Sequence, residues 1–276
     1  MERRNAMHFC LVGGDRRFLY TEEALQKRGH TACRIGNGGN AYVPGAMAGA
    51  GAVILPLPAS RDGVTLNAPE LPEALPLHAL FSAIPAGIPV FCGRATPAVR
   101  EAAGNRRVVD YEATESFITR NAGISADAAV SLLSEYLGDG PPPSCILLGS
   151  GHFASALSSR LYGLRIPFSV YARNPDRVLP GYGRPRPLSA LAEEIGESAI
   201  LLNTIPAPVL SRDILLRTRP GTRLFELSAA PEVVREQDCK EAGVTLIPAP
   251  ALPARFSPAA AGCAVADEVL ALLSSL

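Results

Sequence analysis

Short apolar runs alternate with segments of helical composition along the whole chain, and glycine or proline closes most of them. His8 to Val12 reads as a strand ending in Gly13-Gly14-Asp15, and Thr21 to Arg28 as a helix whose stop is Gly29. Thr31 to Ile35 and Ala52 to Leu57 are the next strands, followed by a polar loop from Pro58 to Val64. Leu75 to Ala83 predicts a helix, Ile88 to Cys92 a strand, Pro97 to Ala103 a helix and Arg107 to Asp110 a strand. Strands and helices alternating at these lengths predict a parallel sheet covered by helices.

Thr114 to Leu137 is helical in composition, with Asn121-Ala-Gly123 expected to interrupt it and Ser125 to cap a second segment. The run Gly138-Asp-Gly-Pro-Pro-Pro143 stops that helix and marks the expected domain boundary, giving domains of residues 1–138 and 144–276. Beyond it Cys145 to Leu148 reads as a buried strand, His152 to Tyr162 as a helix and Phe168 to Tyr171 as a second strand. Ile200 to Asn203, Arg223 to Leu227 and Val244 to Ile247 continue the strand series. A final helix, Ala260 to Leu273, carries apolar residues that are expected to return and pack on the first domain.

Composition adds limits. The chain has 276 residues and 47% hydrophobic residues, enough for one large core or two modest ones. Twenty-six Lys+Arg balance twenty-six Asp+Glu, which leaves no broad basic field for a nucleic acid backbone. The six cysteines form no C-x-x-C pair and the four histidines lack metal-ligand spacing, so the expectation is free thiols in a reducing compartment and no metal site. The apolar run after the charged start is too short for a signal-peptide core, and Pro and Gly break every longer one. A soluble, cytoplasmic protein is expected.

The most informative local pattern is Gly149-Ser150-Gly151-His152-Phe153-Ala154, a G-x-G-x-x-A turn directly after an apolar strand and directly before a helix. Gly149 permits the tight turn, Gly151 admits a pyrophosphate close to the backbone, and Ala154 keeps helix and sheet near each other. N–H groups at the start of the helix would meet the anion. The next strand ends in Val170-Tyr-Ala-Arg173-Asn174 with no carboxylate for a ribose 2′-hydroxyl, while the Arg173 fork suits a 2′-phosphate; the pattern favours NADP(H) over NAD(H). Asn203-Thr204-Ile205-Pro206 ends another strand on the same edge and is expected beside the cofactor. Glu226-Leu-Ser-Ala229 and the Pro-rich stretch Pro248 to Pro258 are candidates for the substrate and nicotinamide surroundings.

With these landmarks placed, the chain resembles the family of the dipicolinate synthase A subunit of bacterial sporulation. The first half contributes Val12-Gly-Gly-Asp-Arg16, Leu55-Pro-Leu-Pro58 leading to Asp62-Gly63, and Asn121-Ala-Gly-Ile-Ser-Ala-Asp127. The second contributes the Gly149 turn, Ala172-Arg173, Asn203-Thr-Ile-Pro206, Leu227-Ser-Ala229 and Pro250-Ala-Leu-Pro253 leading to Ala261-Gly262. Against that family's pattern, His152 stands where arginine is common, Ala154 replaces a glycine, Pro231-Glu232-Val233 stands for Pro-Gly-Gly, and 257–262 lacks a lysine.

The resemblance implies an α/β protein of two Rossmann-like domains with parallel sheets, arranged like 2-hydroxyacid dehydrogenases. It implies bound NADP and action with a flavoprotein B subunit to form dipicolinate from a cyclic dicarboxylate precursor, in the mother cell of a spore-forming bacterium; self-association stays open. Aromatising such a precursor needs a hydride acceptor, a base and cations for two carboxylates. Arg16 and Arg61 are the candidate cations, expected at a cleft between the domains, with Ser60, Asn121 and Ser125 as hydrogen-bonding partners. Asp15, Asp127 and His152 are the only proton-transfer candidates, and His152 suits phosphate contact better. Two other readings stay open: another NADP-dependent reductase of a small carbonyl or imine acid, because Asn203-Thr-Ile-Pro206 also looks like a loop of shikimate-dehydrogenase-type folds, and a non-catalytic NADP-binding scaffold.

Overall fold

Two separate parallel sheets organise the chain. The first contains β1 (His8–Val12), β2 (Thr31–Ile35), β3 (Ala52–Ile54), β4 (Val90–Cys92) and β5 (Val108–Asp110) in the order β2-β1-β3-β4-β5. Helices α1 (Arg17–Lys27), α2 (Leu77–Ala83), α3 (Pro97–Ala103) and α4 (Glu115–Ser134) accompany it. β3 and β4 are buried at every position, which is why Ala-Val-Ile and Val-Phe-Cys read as continuous apolar runs rather than alternating ones. Where alternation exists it sorts the faces: Cys10 and Val12 join a core with Val53, Phe81 and Val99. α3 begins cleanly because the Thr96 hydroxyl accepts the Val99 N–H at 3.3 Å and Pro97 occupies the first turn.

The second sheet contains β6 (Cys145–Leu148), β7 (Phe168–Ala172), β8 (Arg184–Pro187), β9 (Ile200–Asn203), β10 (Arg223–Glu226) and β11 (Thr245–Pro248) in the order β11-β10-β9-β6-β7-β8. Renumbered within the sheet this is 3-2-1-4-5-6 read from the β8 edge, the strand order of dinucleotide-binding α/β domains. Cys145 and Leu147 face one apolar cluster and Ile146 and Leu148 the other, so β6 is buried on both sides. Its helices are α5 (His152–Gly163), α6 (Leu191–Glu194), α7 (Arg212–Leu215), α8 (Glu236–Glu241) and α9 (Leu252–Phe256). The last helix of the chain is α10 (Pro258–Leu273).

The computed structural model describes residues 6–38, 42–43, 45–138, 140–178, 181–228 and 233–276. By its contacts the chain forms two units, Met1–Asn121 with Pro258–Leu276, and Ala122–Ser257. This differs from the division expected at Gly138 to Pro143. α4 runs unbroken through Asn121-Ala-Gly123, with Ser125 in its interior rather than at a cap. A glycine in a helix costs only about 1 kcal/mol; here Ala126, Ala128, Ala129, Leu132 and Leu133 join the core of the second unit and override it. β8, Arg-Pro-Arg-Pro, has no apolar pattern to betray it, and proline is tolerated there because the strand lies at a sheet edge. Asp139 of the glycine-proline run, and Ala229, Pro231 and Glu232 after β10, lie outside the described residues. Among the described residues no helix is long and apolar enough to cross a membrane.

α10 returns to the first unit and packs on α1. The Thr21 hydroxyl lies 3.1 Å from the Gly262 carbonyl, Asp267 pairs with Arg28 and, at 2.6 Å, with Arg120, and Ser116 bonds Glu268 at 2.8 Å. The approach is close enough that a Cβ on Gly262 would collide with the Arg17 carbonyl and come within 2.9 Å of the Thr21 nitrogen. Gly262→Ala is therefore expected to lower the unfolding free energy by about 1–3 kcal/mol, the usual cost of overpacking. Urea denaturation of the two proteins measures it; unchanged stability would contradict this packing.

Candidate functional site

In the second unit the strand order reverses between β6 and β9, and the G-x-G-x-x-A turn lies at the carboxyl end of β6 beside that reversal. Thr204 joins the two strands there: its N–H and its hydroxyl both donate to the Leu148 carbonyl, at 3.1 and 2.7 Å. Gly149 follows with φ +118°, and a Cβ on it would fall onto the Thr204 hydroxyl. Only glycine fits. Gly151, by contrast, is the N-cap of α5, no side chain caps it, and a Cβ there would meet nothing within 4 Å. The space above Gly151 is thus open on the side where a helix N-terminus attracts an anion. Ala154 is buried against the sheet, and Ser150, Ser155, Ser158, Val170 and Val178 line a small pocket at the turn.

Phe153 packs on the core, leaving its backbone as the part available to a ligand, whereas His152 is exposed. Arg173 and Asn174 follow β7 and are both exposed; the Asn174 side chain also accepts the Asp176 N–H at 3.2 Å. Across the reversal, Asn203 is fully buried, receives the Ile205 N–H at 3.1 Å and donates to Glu226 at 2.7 Å. Ile205 packs on the neighbouring core while Pro206 is exposed. Glu226 in turn accepts the Ser228 N–H at 2.9 Å. The Ser228 hydroxyl is buried with no hydrogen-bond partner among the described residues, an orphaned polar group at the carboxyl end of β10 that a ligand could satisfy. An obligatory glycine, an open position two residues later and an orphaned hydroxyl on the same sheet edge fit a dinucleotide.

The first unit carries a second set of candidates on the loops after β1 and β3, which flank its own strand-order reversal. Gly13 and Gly14 have φ of +72° and +86° and donate to the Ile35 and Asn67 carbonyls, tying the loops together. Arg16 is exposed at the start of α1. Arg61 is exposed and bonds Asn67 at 3.1 Å. The Ser60 hydroxyl donates to Asp62 and accepts the Gly63 N–H, both at 3.0 Å, while Asp62 also gathers Val64 and Thr65. Ser60 and Asp62 therefore shape the loop that presents Arg61. Asn121, the last residue of that unit's first segment, and Ser125, which belongs to the second unit, lie on α4, half-buried and buried.

The proton-transfer candidates are differently placed. Asp15 forms a two-point bond with Arg17, at 2.8 and 2.7 Å, and Arg17 reaches on to the Leu57 carbonyl at 2.6 Å. Burial pulls the Asp15 carboxyl upward, but the bonds and charge of Arg17 outweigh it and hold the group below its ordinary range. That is the opposite of what a general base requires. Asp127 is exposed and pairs with Arg160 at 2.8 Å. Arg17 is a residue that sequence reasoning misses, because nothing local distinguishes a buried arginine from its exposed neighbour Arg16.

Removing Asp15 would leave a buried guanidinium without its carboxylate, so Asp15→Ala is expected to cost about 3 kcal/mol. A carboxyl held low in the folded state adds stability above its unfolded pKa, about 3.9, and loses it as pH falls through the lower folded value. The gap between the two proteins should be full near about pH 6 and close below about pH 4. Urea melts across that range measure it, and a gap independent of pH would contradict the pairing.

Comparisons with known proteins agree with this architecture. No curated protein sequence matches the chain. Two solved structures share its fold over almost the whole length. One is the dipicolinate synthase A subunit from Bacillus halodurans, with a TM-score of 0.82, 20% identity and coverage of 97% of this chain and 98% of that one. The other is the A chain of dipicolinate synthase from Bacillus subtilis, with 0.81, 19%, 98% and 97%. D-2-hydroxyisocaproate dehydrogenase is similar at a TM-score of 0.59, 12% identity and coverage of 97% and 96%. At these identities the likeness is one of fold. Residues 8–112 match the model of the N-terminal domain of the dipicolinate synthase A subunit, so the first part of the chain is similar to that domain.

Proposed function

We propose that this chain is the NADP-binding subunit of a dipicolinate synthase. It oxidises a dihydro- or hydroxytetrahydro-pyridine dicarboxylate to dipicolinate together with a flavoprotein subunit, in the cytoplasm of a sporulating cell. The observation that carries this reading is the Gly149 to Ala154 turn at the reversal of a 3-2-1-4-5-6 sheet, in a chain whose residues 8–112 match the dipicolinate synthase A-subunit N-terminal domain. Backbone N–H groups of the first turn of α5 hold the pyrophosphate, with Ser150 and His152 beside it. Arg173, with Asn174 next to it, takes the 2′-phosphate by charge-assisted bonds. Thr204, Ile205 and Pro206 wall the site on the β9 side. When bound, the nicotinamide supplies the hydride acceptor.

Arg16 and Arg61 are the cations proposed to neutralise the two substrate carboxylates, with Ser60, Asn121 and Ser125 adding hydrogen bonds. The engagement of both Asp15 and Asp127 in ion pairs favours a second reading, in which this chain binds cofactor and the proton and electron chemistry resides in the flavoprotein. Supplying the precursor with and without a purified flavoprotein separates them. Dipicolinate formed only in the mixture, with reduction of the nicotinamide, supports the first; dipicolinate formed only in the mixture, with no change in nicotinamide absorbance, supports the second.

Cofactor binding has its own test. By calorimetry NADP+ should bind at least about tenfold more tightly than NAD+, a difference of about 1.4 kcal/mol. Arg173→Ala should bring the two together, and Gly151→Asp should abolish both without lowering the thermal melt, since a Cβ there meets no protein atom within 4 Å and aspartate is accepted at a helix N-cap. A preference for NAD+ would overturn the choice of cofactor, and undiminished binding by Gly151→Asp would overturn the site.

A further inference from the structure

β1 and β2 pair in parallel with His8 opposite Thr31 and Cys10 opposite Cys33. Period-two alternation puts all four side chains on one face of the sheet. The His8 Nε2 lies 3.8 Å from the Cys10 sulfur and 3.6 Å from the Cys33 sulfur, and the two sulfurs are 3.5 Å apart. Tetrahedral zinc, with Zn–S near 2.3 Å and Zn–N near 2.1 Å, sets neighbouring sulfurs about 3.8 Å apart and a sulfur about 3.6 Å from a nitrogen. The three atoms thus already stand close to three corners of such a tetrahedron.

The other ring nitrogen is also placed. His8 Nδ1 lies 3.0 Å from the Thr31 hydroxyl, whose own hydrogen is directed to the Met7 carbonyl at 3.5 Å. In the tautomer with the proton on Nδ1, that nitrogen donates to Thr31 and leaves the Nε2 lone pair for the two sulfurs, as a ligand needs. Cys10 is fully buried while His8 and Cys33 are half-buried, so one side of the cluster is open for a water as fourth ligand.

We propose that His8, Cys10 and Cys33 form a site for one thiophilic divalent cation, zinc in class, completed by water. Both thiols lose their protons to solvent as the two Zn–S bonds form, and no electrons are transferred. The site lies at the amino end of β1, away from the carboxyl-edge loops, and its effect is to staple β1 to β2. Cys92, Cys145, Cys239 and Cys263 have no place in it.

The full chain, reduced and treated with chelator, is titrated with Co2+ alone and then with Zn2+ alone. One Co2+ per chain should bind with a thiolate-to-cobalt charge-transfer band that Zn2+ abolishes, and Zn2+ should raise the melting temperature. Cys33→Ser and His8→Gln alter half-buried positions and leave the core intact; each should weaken Zn2+ binding by at least about 100-fold, and Thr31→Val by about tenfold. Cys263→Ser should bind as the parent does. Absence of the charge-transfer band, its survival in Cys33→Ser, or a Cys10–Cys33 disulfide found by mass spectrometry in the freshly isolated protein would each overturn the proposal.

Discussion

The carboxyl edge of the second sheet is governed by one carbonyl. Leu148 O accepts both donors of Thr204, and that pair of hydrogen bonds fixes how closely β9 follows β6 past the last paired residues. With the Thr204 hydroxyl in that position there is no volume for a side chain at residue 149, so the turn must be glycine and must take the positive φ that glycine alone adopts readily. The start of α5 is then set, and with it the direction in which the helix offers its unpaired N–H groups. Asn203, next to Thr204 in the chain, extends the network through Glu226 to Ser228 on the next strand. One local hydrogen-bond arrangement therefore positions the turn proposed to bind the pyrophosphate, the residues opposite it and the Ser228 hydroxyl on the same edge. The first sheet uses a related device, in which Gly13 and Gly14 donate to neighbouring loops and the Asp15–Arg17 pair locks α1 to the backbone after β3.

Much of this was legible in the sequence for a physical reason. Strands buried on both faces have to be short and wholly apolar, so Cys145 to Leu148 and Val90 to Cys92 announce themselves. The glycine turn was legible because its chemistry is local: the residues that make the turn and those that would meet the phosphate are contiguous. The edge strand β8 was hidden, since an edge needs no apolar pattern, and the helical run through Gly123 was hidden because packing against the second core outweighs one glycine. The division of the chain was misplaced for the same reason. Prolines at 141–143 end a stretch of backbone, but membership of a unit is decided by which core the side chains join, and the latter part of α4 joins the second.

The groups hardest to see were those defined by long-range pairing. Arg17 is distinguished from Arg16 only by the Asp15 carboxylate and the Leu57 carbonyl, 40 residues away. His8, Cys10 and Cys33 meet because parallel pairing sets residue 10 beside residue 33, a coincidence that spacing along one strand cannot reveal. Asp15 and Asp127 looked usable as bases only because a sequence does not display their arginine partners. The glycine turn proposed for the cofactor was therefore readable as a local pattern, while the partners of the candidate acids depend on contacts that only the fold supplies.

The central claim is that the turn after β6 holds the pyrophosphate of a dinucleotide. A crystal structure of the chain grown with NADP+ tests it most directly. Density for the pyrophosphate against the N–H groups following Gly151, with the 2′-phosphate within hydrogen-bonding distance of Arg173, is the predicted result. Cofactor density elsewhere on the chain, or an empty turn at saturating NADP+, would contradict it.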